Sequence, residues 1–137
     1  MTHAIVAVCY GLVAAAAVVF GAVYLLRGRP MPYHEEALGR KFGELDARLQ
    51  TLLVAMLRVV GGELLACGLG LALLIGLSFR DGENWTIWAM PLLALGIVLP
   101  NLYATAFVRL KTGARTPVEF PVVGVVLVVA GAALSLL

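Results

Sequence analysis

The chain has 137 residues, of which 62% are hydrophobic and 13% are charged, and its formal net charge is +2. Soluble domains average about half apolar and about a quarter charged residues, and a chain this short cannot bury the excess apolar surface in a water-soluble core. The composition therefore predicts one integral membrane domain. The apolar excess also excludes a soluble enzyme. Two cysteines are too few for a secreted disulfide scaffold, and the chain has no basic stripe of the kind that binds nucleic acid.

Four apolar stretches are each long enough to cross a bilayer. A helix needs about 20 apolar residues to cross roughly 30 Å of hydrocarbon, and lipid leaves no partner for irregular backbone. Runs such as residues 71–75 lack the alternation of a transmembrane β-strand. The sequence predicts an all-α bundle of four transmembrane helices, with spans at about residues 4–26, 60–79, 85–108 and 118–137.

The first span differs from a secretory signal peptide. Its apolar run covers 23 residues, and its charges follow the run instead of preceding it. We therefore expect a retained span whose N-terminus lies outside.

The segment 27–59 is the only substantial polar part of the chain. A turn rich in Arg and Pro opens it, and apolar residues then recur at helical spacing: Leu38, Phe42, Leu45, Leu49, Leu52 and Met56. This pattern predicts an amphipathic cytoplasmic helix between spans one and two. Such a helix would lie at the interface or extend span two into the cytoplasm, or it would serve as a docking surface for a partner.

Span two carries an acidic residue that is predicted to lie inside the membrane, Glu63. Ionisable groups in membrane helices are costly and need a partner. One hypothesis is a buried ion pair with Arg109, which would fix the packing of spans two and three. The other is a protonatable or cation-binding carboxylate. Arg58 is poorly placed to pair with Glu63, because it lies five residues away along the helix.

Small residues recur at every fourth position of span two, in two ladders. The ladders are Gly62, Ala66, Gly70 and Gly68, Ala72, Gly76, and span one offers Ala7, Gly11, Ala15 and also Ala17, Gly21. Two such faces predict a central helix with neighbours on both sides, within one bundle or in a homo-oligomer.

Span three contains two polar side chains one turn apart, Asn101 and Thr105, directly after Pro100. Either they hydrogen-bond carbonyls that the proline frees, or they form a polar patch that lines a cavity.

The segment Met56–Gly70 contains an Arg, a Gly-Gly pair and small residues at helical spacing. It resembles the Arg–Gly-Gly–small-residue helix of DoxX-like bacterial membrane proteins, which are also short and have four spans. The resemblance covers about 15 of the 137 residues. It implies a four-helix bundle and assigns no catalytic residue.

Basic residues are distributed unevenly between the loops. Nine of the ten lie in the segments 27–59 and 109–117 or at the foot of span two, and the remaining one is Arg80. The positive-inside rule therefore places loops 27–59 and 109–117 in the cytoplasm and both termini outside. We expect a bacterial inner-membrane protein.

No motif for a metal, a cofactor or a catalytic nucleophile is found in the sequence. Cys9, Cys67, His3 and His34 lie at different depths and do not form a ligand set. His34 precedes two carboxylates and would either titrate near neutral pH or belong to a solvated loop. His34 and Arg58 form a possible interfacial site, and Glu63, Arg109, Asn101 and Thr105 a possible intramembrane polar site.

Three functions fit these observations. The first is an accessory or scaffold subunit that lies in the lipid bilayer and forms a homo-oligomer or binds another membrane protein. The second is an oligomeric transporter or channel for ions or small solutes, with Glu63, Asn101 and Thr105 along its path. The third is a membrane enzyme that acts on a lipid or quinone, with His34 and the basic loops near an anionic headgroup.

Overall fold

The computed structural model describes residues 2–79 and 84–136, and within these ranges it contains five α-helices and no strand. Their bounds are α1 Thr2–Leu26, α2 Pro32–Leu38, α3 Ala47–Leu73, α4 Thr86–Thr112 and α5 Glu119–Ser135. A 3₁₀ turn, Phe42–Glu44, precedes α3, and a π-helix, Leu74–Phe79, continues it. The all-α prediction is confirmed.

Three of these helices are long and apolar enough to cross a membrane. They are Thr2–Leu26, Ala47–Leu77 and Thr86–Thr112. The fourth predicted span corresponds to α5, which is apolar but has only 17 residues. The sequence places the start of span two at Val60, whereas its helix begins at Ala47.

The prediction of one continuous amphipathic helix between spans one and two is wrong. Gly39 adopts a φ of 64°, which favours glycine, and ends α2. Leu45 is extended, and Asp46 then starts α3 by accepting hydrogen bonds from the backbone N–H groups of Arg48 and Leu49 at 2.9 and 3.1 Å. A left-handed glycine and an Asp N-cap thus interrupt the apolar pattern, so that Leu38 ends α2 and the second half of the pattern belongs to α3.

Helices α1 and α3 run antiparallel and touch through their backbones. A Cβ atom added at Gly21 would lie 2.6 Å from the backbone nitrogen of Leu65, and one added at Gly61 would lie 2.5 Å from that of Leu25. Further along, a Cβ atom added at Gly68 would lie 2.9 Å from the carbonyl oxygen of Ala14. No side chain fits between the helices at these points.

Within the chain the central helix is α1, so the prediction that span two is central within one bundle is wrong, whereas the homo-oligomer alternative stays a prediction. α1 packs against α3 on one side and against α5 on another, and α4 packs mainly on α5. Of the two ladders predicted on span two, Gly68 faces α1, but a Cβ atom added at Gly62 or Gly76 would have no described neighbour within 4 Å. Gly61, which belongs to neither ladder, makes the closest approach.

A buried apolar core joins the helices in the half of the bundle away from residues 27–46. Tyr10 is fully buried there, and a Cβ at Gly131 of α5 would lie 2.9 Å from its ring. The largest side chains buried with it are Leu71, Met90, Val6 and Val128.

Candidate functional site

A cavity of about 450 Å³ lies between α1, α4 and α5. It lies toward the end of the bundle that holds residues 27–46 and the turn 113–118, which we call the basic end. Each helix contributes one face of residues spaced three or four apart. They include Leu12, Ala16, Phe20 and Tyr24 of α1, Ile97, Asn101 and Thr105 of α4, and Phe120, Val123 and Leu127 of α5, with Tyr33 of α2.

The cavity opens sideways between α1 and α5. Leu12, Phe120 and Val123 at its edge are 53%, 63% and 57% exposed. The rings of Phe20 and Phe120 meet edge to face across the gap, with centroids 5.6 Å apart. Because α1 is apolar along its whole length, this opening faces the surface that the helix presents to lipid when it spans a membrane.

Asn101 and Thr105 line this cavity and also hydrogen-bond to their own helix. Asn101 Nδ2 donates to the Ile97 carbonyl at 2.8 Å, and Thr105 Oγ1 donates to the Asn101 carbonyl at 2.7 Å. Neither acceptor is the Gly96 carbonyl, which Pro100 leaves without its i→i−4 partner, so these contacts agree with the hypothesis of a polar patch that lines a cavity. Asn101 Oδ1 accepts no hydrogen bond from the described part of the chain.

The turn between α4 and α5 closes one side of the cavity. Thr116 is buried, and its Oγ1 donates to the Thr105 carbonyl at 2.8 Å. Pro117, next in the chain, lines the cavity. The hydrogen bond holds the turn against the last part of α4.

Two tyrosines and a histidine lie at the basic end of the cavity. The hydroxyls of Tyr24 and Tyr33 are hydrogen-bonded to each other, and both residues line the cavity. The His34 ring lies 4.2 Å from that of Tyr33, between centroids. Burial raises the pKa of Tyr33 well above its usual range, and the hydrogen bond between Tyr33 and Tyr24 adds to the effect.

His34 caps α2 from inside the first turn. Its Nδ1 accepts the backbone N–H of Met31 at 3.1 Å, and burial lowers the pKa of the imidazole. Glu35 is directed elsewhere, because its Oε1 accepts the backbone N–H of Phe42 at 3.3 Å. His34 is therefore a neutral acceptor at pH 7.

The predicted ion pair between Glu63 and Arg109 is not formed. Arg109 Nη1 lies 3.2 Å from Glu119 Oε1, and both side chains are largely exposed. The short turn after α4 brings Glu119 next to Arg109, whereas Glu63 lies on α3, which packs mainly on α1. Glu63 is exposed and makes no hydrogen bond or ion pair with the described residues.

The four residues of the possible intramembrane site are thus divided. Asn101 and Thr105 share the cavity, Arg109 pairs at the end of α4, and Glu63 is on an outer surface. The possible interfacial pair is also separated, because Arg58 lines a different, shallow depression together with Phe42 and Gln50.

Sequence reasoning did not identify the aromatic side chains as cavity residues. Leu12, Ala16, Phe20 and Tyr24 recur every fourth residue, and so do Ile97, Asn101 and Thr105. These spacings contain the signal, but in a uniformly apolar helix every face has such a series, and only the packing selects one.

Both cysteines are free thiols, with Cys9 buried in α1 and Cys67 half-buried in α3. Within residues 2–79 and 84–136, no three His, Cys, Asp or Glu side chains lie close enough together to hold a metal ion.

No protein-family model, no curated protein and no solved structure matches this chain. The resemblance of Met56–Gly70 to DoxX-like proteins stays a prediction that these comparisons do not test.

Proposed function

We propose that the chain is a four-span accessory subunit of a bacterial inner membrane, and that it binds another membrane helix through the outer face of α3. In this proposal both termini lie outside, and the loops 27–59 and 109–117 lie in the cytoplasm. The observation that carries the proposal is the exposed carboxylate of Glu63, which is unpaired within the described ranges, on a helix apolar enough to cross the membrane.

The four-span arrangement is supported by the position of α5. This helix packs along both α1 and α4, and its 17 residues extend about 25 Å at 1.5 Å per residue. That length is slightly less than the thickness of the hydrocarbon core, roughly 30 Å. Local thinning of the bilayer accommodates such a difference. The unequal distribution of basic residues supports the orientation.

The outer face of α3 lies opposite the face that packs on α1. Gly61, Leu64, Gly68 and Leu71 are buried. About half a turn around the helix, Val59, Glu63, Ala66 and Leu73 are exposed and share one face at spacings of three, four and seven. Small residues on this face would let a second helix approach closely.

Glu63 makes this face require a polar or positively charged group on any partner helix. It lies five residues beyond Arg58, about 7.5 Å further along the helix, so it reaches into the hydrocarbon when α3 spans the bilayer. Carboxylates at such positions usually face a bundle interior and are paired, because exposure to lipid is costly. A partner helix with a hydrogen-bond donor or a cation at the same depth would remove that cost.

Site-specific photo-cross-linking in the native membrane tests this proposal. A benzophenone side chain is introduced at Ala66, on the proposed face, and at Val126, an exposed position of α5, as the matched control. We expect a defined protein adduct from Ala66 and none from Val126. The adduct should disappear with Glu63→Leu and persist with Glu63→Gln, which keeps an acceptor oxygen.

Two outcomes would contradict the proposal: lipid adducts alone at Ala66, or an adduct that is unchanged by Glu63→Leu. An adduct at twice the mass of the chain would identify the partner as a second copy. It would also bring the Glu63 residues of the two copies together, which the alternative function of an oligomeric transporter requires. The next measurement would then be ion flux through the Glu63→Gln variant.

A further inference from the structure

The cavity between α1, α4 and α5 is elongated and open to the side. Along α1 it extends from Leu12 to Tyr24, which is about 18 Å at 1.5 Å per residue. Its volume of about 450 Å³ lies within the range of ligand pockets, roughly 300–1,000 Å³. A length of this kind suits an extended chain better than a compact solute, and the lateral opening admits such a chain from the bilayer.

The polar groups of the cavity are uncharged. The side chains that line it are aliphatic or aromatic, apart from the amide of Asn101 and the hydroxyls of Thr105, Tyr24 and Tyr33. No charged residue among the described ones lines it. An anionic headgroup would have no counterion there, and burying an unpaired charge is far more costly than burying a neutral hydrogen-bonded group.

Two hydrogen-bonding functions are left over in the cavity. Tyr24 and Tyr33 use one hydroxyl proton between them, so the second is free to donate. Asn101 uses Nδ2 on its own helix, which leaves Oδ1 free to accept. One donor and one acceptor beside aromatic rings suit a flat or compact head that carries carbonyl or hydroxyl groups.

We infer that this cavity binds an uncharged membrane lipid, with its apolar chain along Leu12–Phe20 and its carbonyl- or hydroxyl-bearing head at Asn101 and the Tyr24–Tyr33 pair. An isoprenoid quinone and a neutral glyceride both have this chemistry. The inference does not depend on the partner proposed for α3, because Glu63 does not line the cavity.

The test uses the full chain in phosphatidylcholine nanodiscs and three probes: decylubiquinone, monoolein and hexadecyl phosphate. Binding is measured by the rise in Tm and by the mass shift in native mass spectrometry. We expect at least one of the two uncharged probes to bind and the anionic probe to fail. Binding of the quinone alone or of the glyceride alone would identify the source of the ligand.

Matched variants separate a site from general lipid contact. Ala16→Phe fills the cavity and should abolish binding, whereas Ala15→Phe adds the same bulk at an exposed position that does not line the cavity and should leave binding unchanged. Asn101→Leu keeps the approximate volume and should weaken binding of the uncharged probe about fivefold, the effect of one lost hydrogen bond.

Two outcomes would overturn the inference: equal binding of all three probes, or equal binding by the variants Ala16→Phe and Ala15→Phe. Either would mean that only bulk lipid tails occupy the cavity. Failure of both uncharged probes would overturn it as well. None of these results bears on cross-linking at Ala66, so either proposal can be refuted without affecting the other.

Discussion

At the scale of single residues, His34 shows how burial decides a role that sequence leaves open. In the sequence, His34 stands beside two carboxylates, a pattern typical of a group that titrates near neutral pH. In the structure its neighbours are the rings of Tyr33 and Tyr24, and Glu35 bonds the backbone of Phe42 instead. The aromatic surroundings favour the uncharged imidazole.

A pH dependence follows from this lowered pKa. The unfolded chain binds a proton at His34 near the ordinary pKa of about 6.5, whereas the folded chain binds it only at lower pH. The contribution of His34 to stability is therefore complete above about pH 6.5 and is lost as the pH falls toward the pKa of the folded state. We expect the free energy of unfolding in detergent to decrease between about pH 7.5 and about pH 5.5.

The control for this measurement is His34→Gln. Glutamine keeps an oxygen that can accept the Met31 N–H but does not titrate, so the part of the decrease due to His34 should vanish. An unchanged pH dependence in this variant would show that another group is responsible.

At the scale of elements, the contact of α1 with α3 depends on the absence of side chains at three glycines, Gly21, Gly61 and Gly68. Gly61 and Gly62 are adjacent in sequence and have opposite environments. A Cβ at Gly61 would meet the backbone of Leu25, and one at Gly62 would meet no described atom within 4 Å. Gly61 and Gly62 therefore form a matched pair for mutation.

Gly61→Ala should lower the free energy of unfolding by roughly 1–3 kcal/mol, because the two helices must separate to admit the methyl group. Gly62→Ala should be neutral, or stabilising by up to about 1 kcal/mol, since alanine favours a helix more than glycine does. Unfolding by SDS titration, followed by circular dichroism, measures both values. Equal effects of the two substitutions would contradict the backbone contact.

Apolar periodicity predicts the elements well where the helices are long, and less well between them. The starts of α4 and α5 lie within one residue of the predicted starts of spans three and four, because charged and turn residues flank these apolar runs. Between residues 38 and 45 the apolar periodicity predicts a helix. The structure instead follows two local signals, one that ends a helix and one that starts the next. Gly39 and Asp46 carry those signals, and both are visible in the sequence.

Helix neighbours and the cavity are beyond sequence reasoning for a physical reason. In a chain that is apolar on all sides, hydrophobicity does not distinguish a face that packs on protein from one that faces lipid. The choice of Gly61 over Gly62, and of Glu119 over Glu63 as the partner of Arg109, depends on tertiary geometry. Only the polar pair Asn101 and Thr105 stands out in the sequence, and it does line the cavity.

At the scale of the whole molecule, the orientation in the membrane determines which ends of the helices meet which solution. The cavity, the Tyr24–Tyr33 pair and nine of the ten basic residues belong to the same end or to the loops beside it. The proposed topology places this end in the cytoplasmic leaflet.

Cysteine labelling checks this topology. In a variant with Cys9→Ala and Cys67→Ala, a single Thr2→Cys should react with a membrane-impermeant maleimide added to intact spheroplasts. A single Gly43→Cys should react only after permeabilisation, because its loop is cytoplasmic in the proposal. The reverse pattern would invert the orientation, and labelling of both sites in intact spheroplasts would contradict an odd number of spans between them.

The order of contacts along the chain has a consequence for assembly. α1 and α3 follow each other among the long helices and meet through glycine backbones, so they can dock before α4 and α5 are synthesised. The cavity needs α1, α4 and α5 together, and Tyr10 meets Gly131 only once α5 is present. The contact between α1 and α3 can therefore form before the cavity exists, and the cavity is complete only after α5 has inserted.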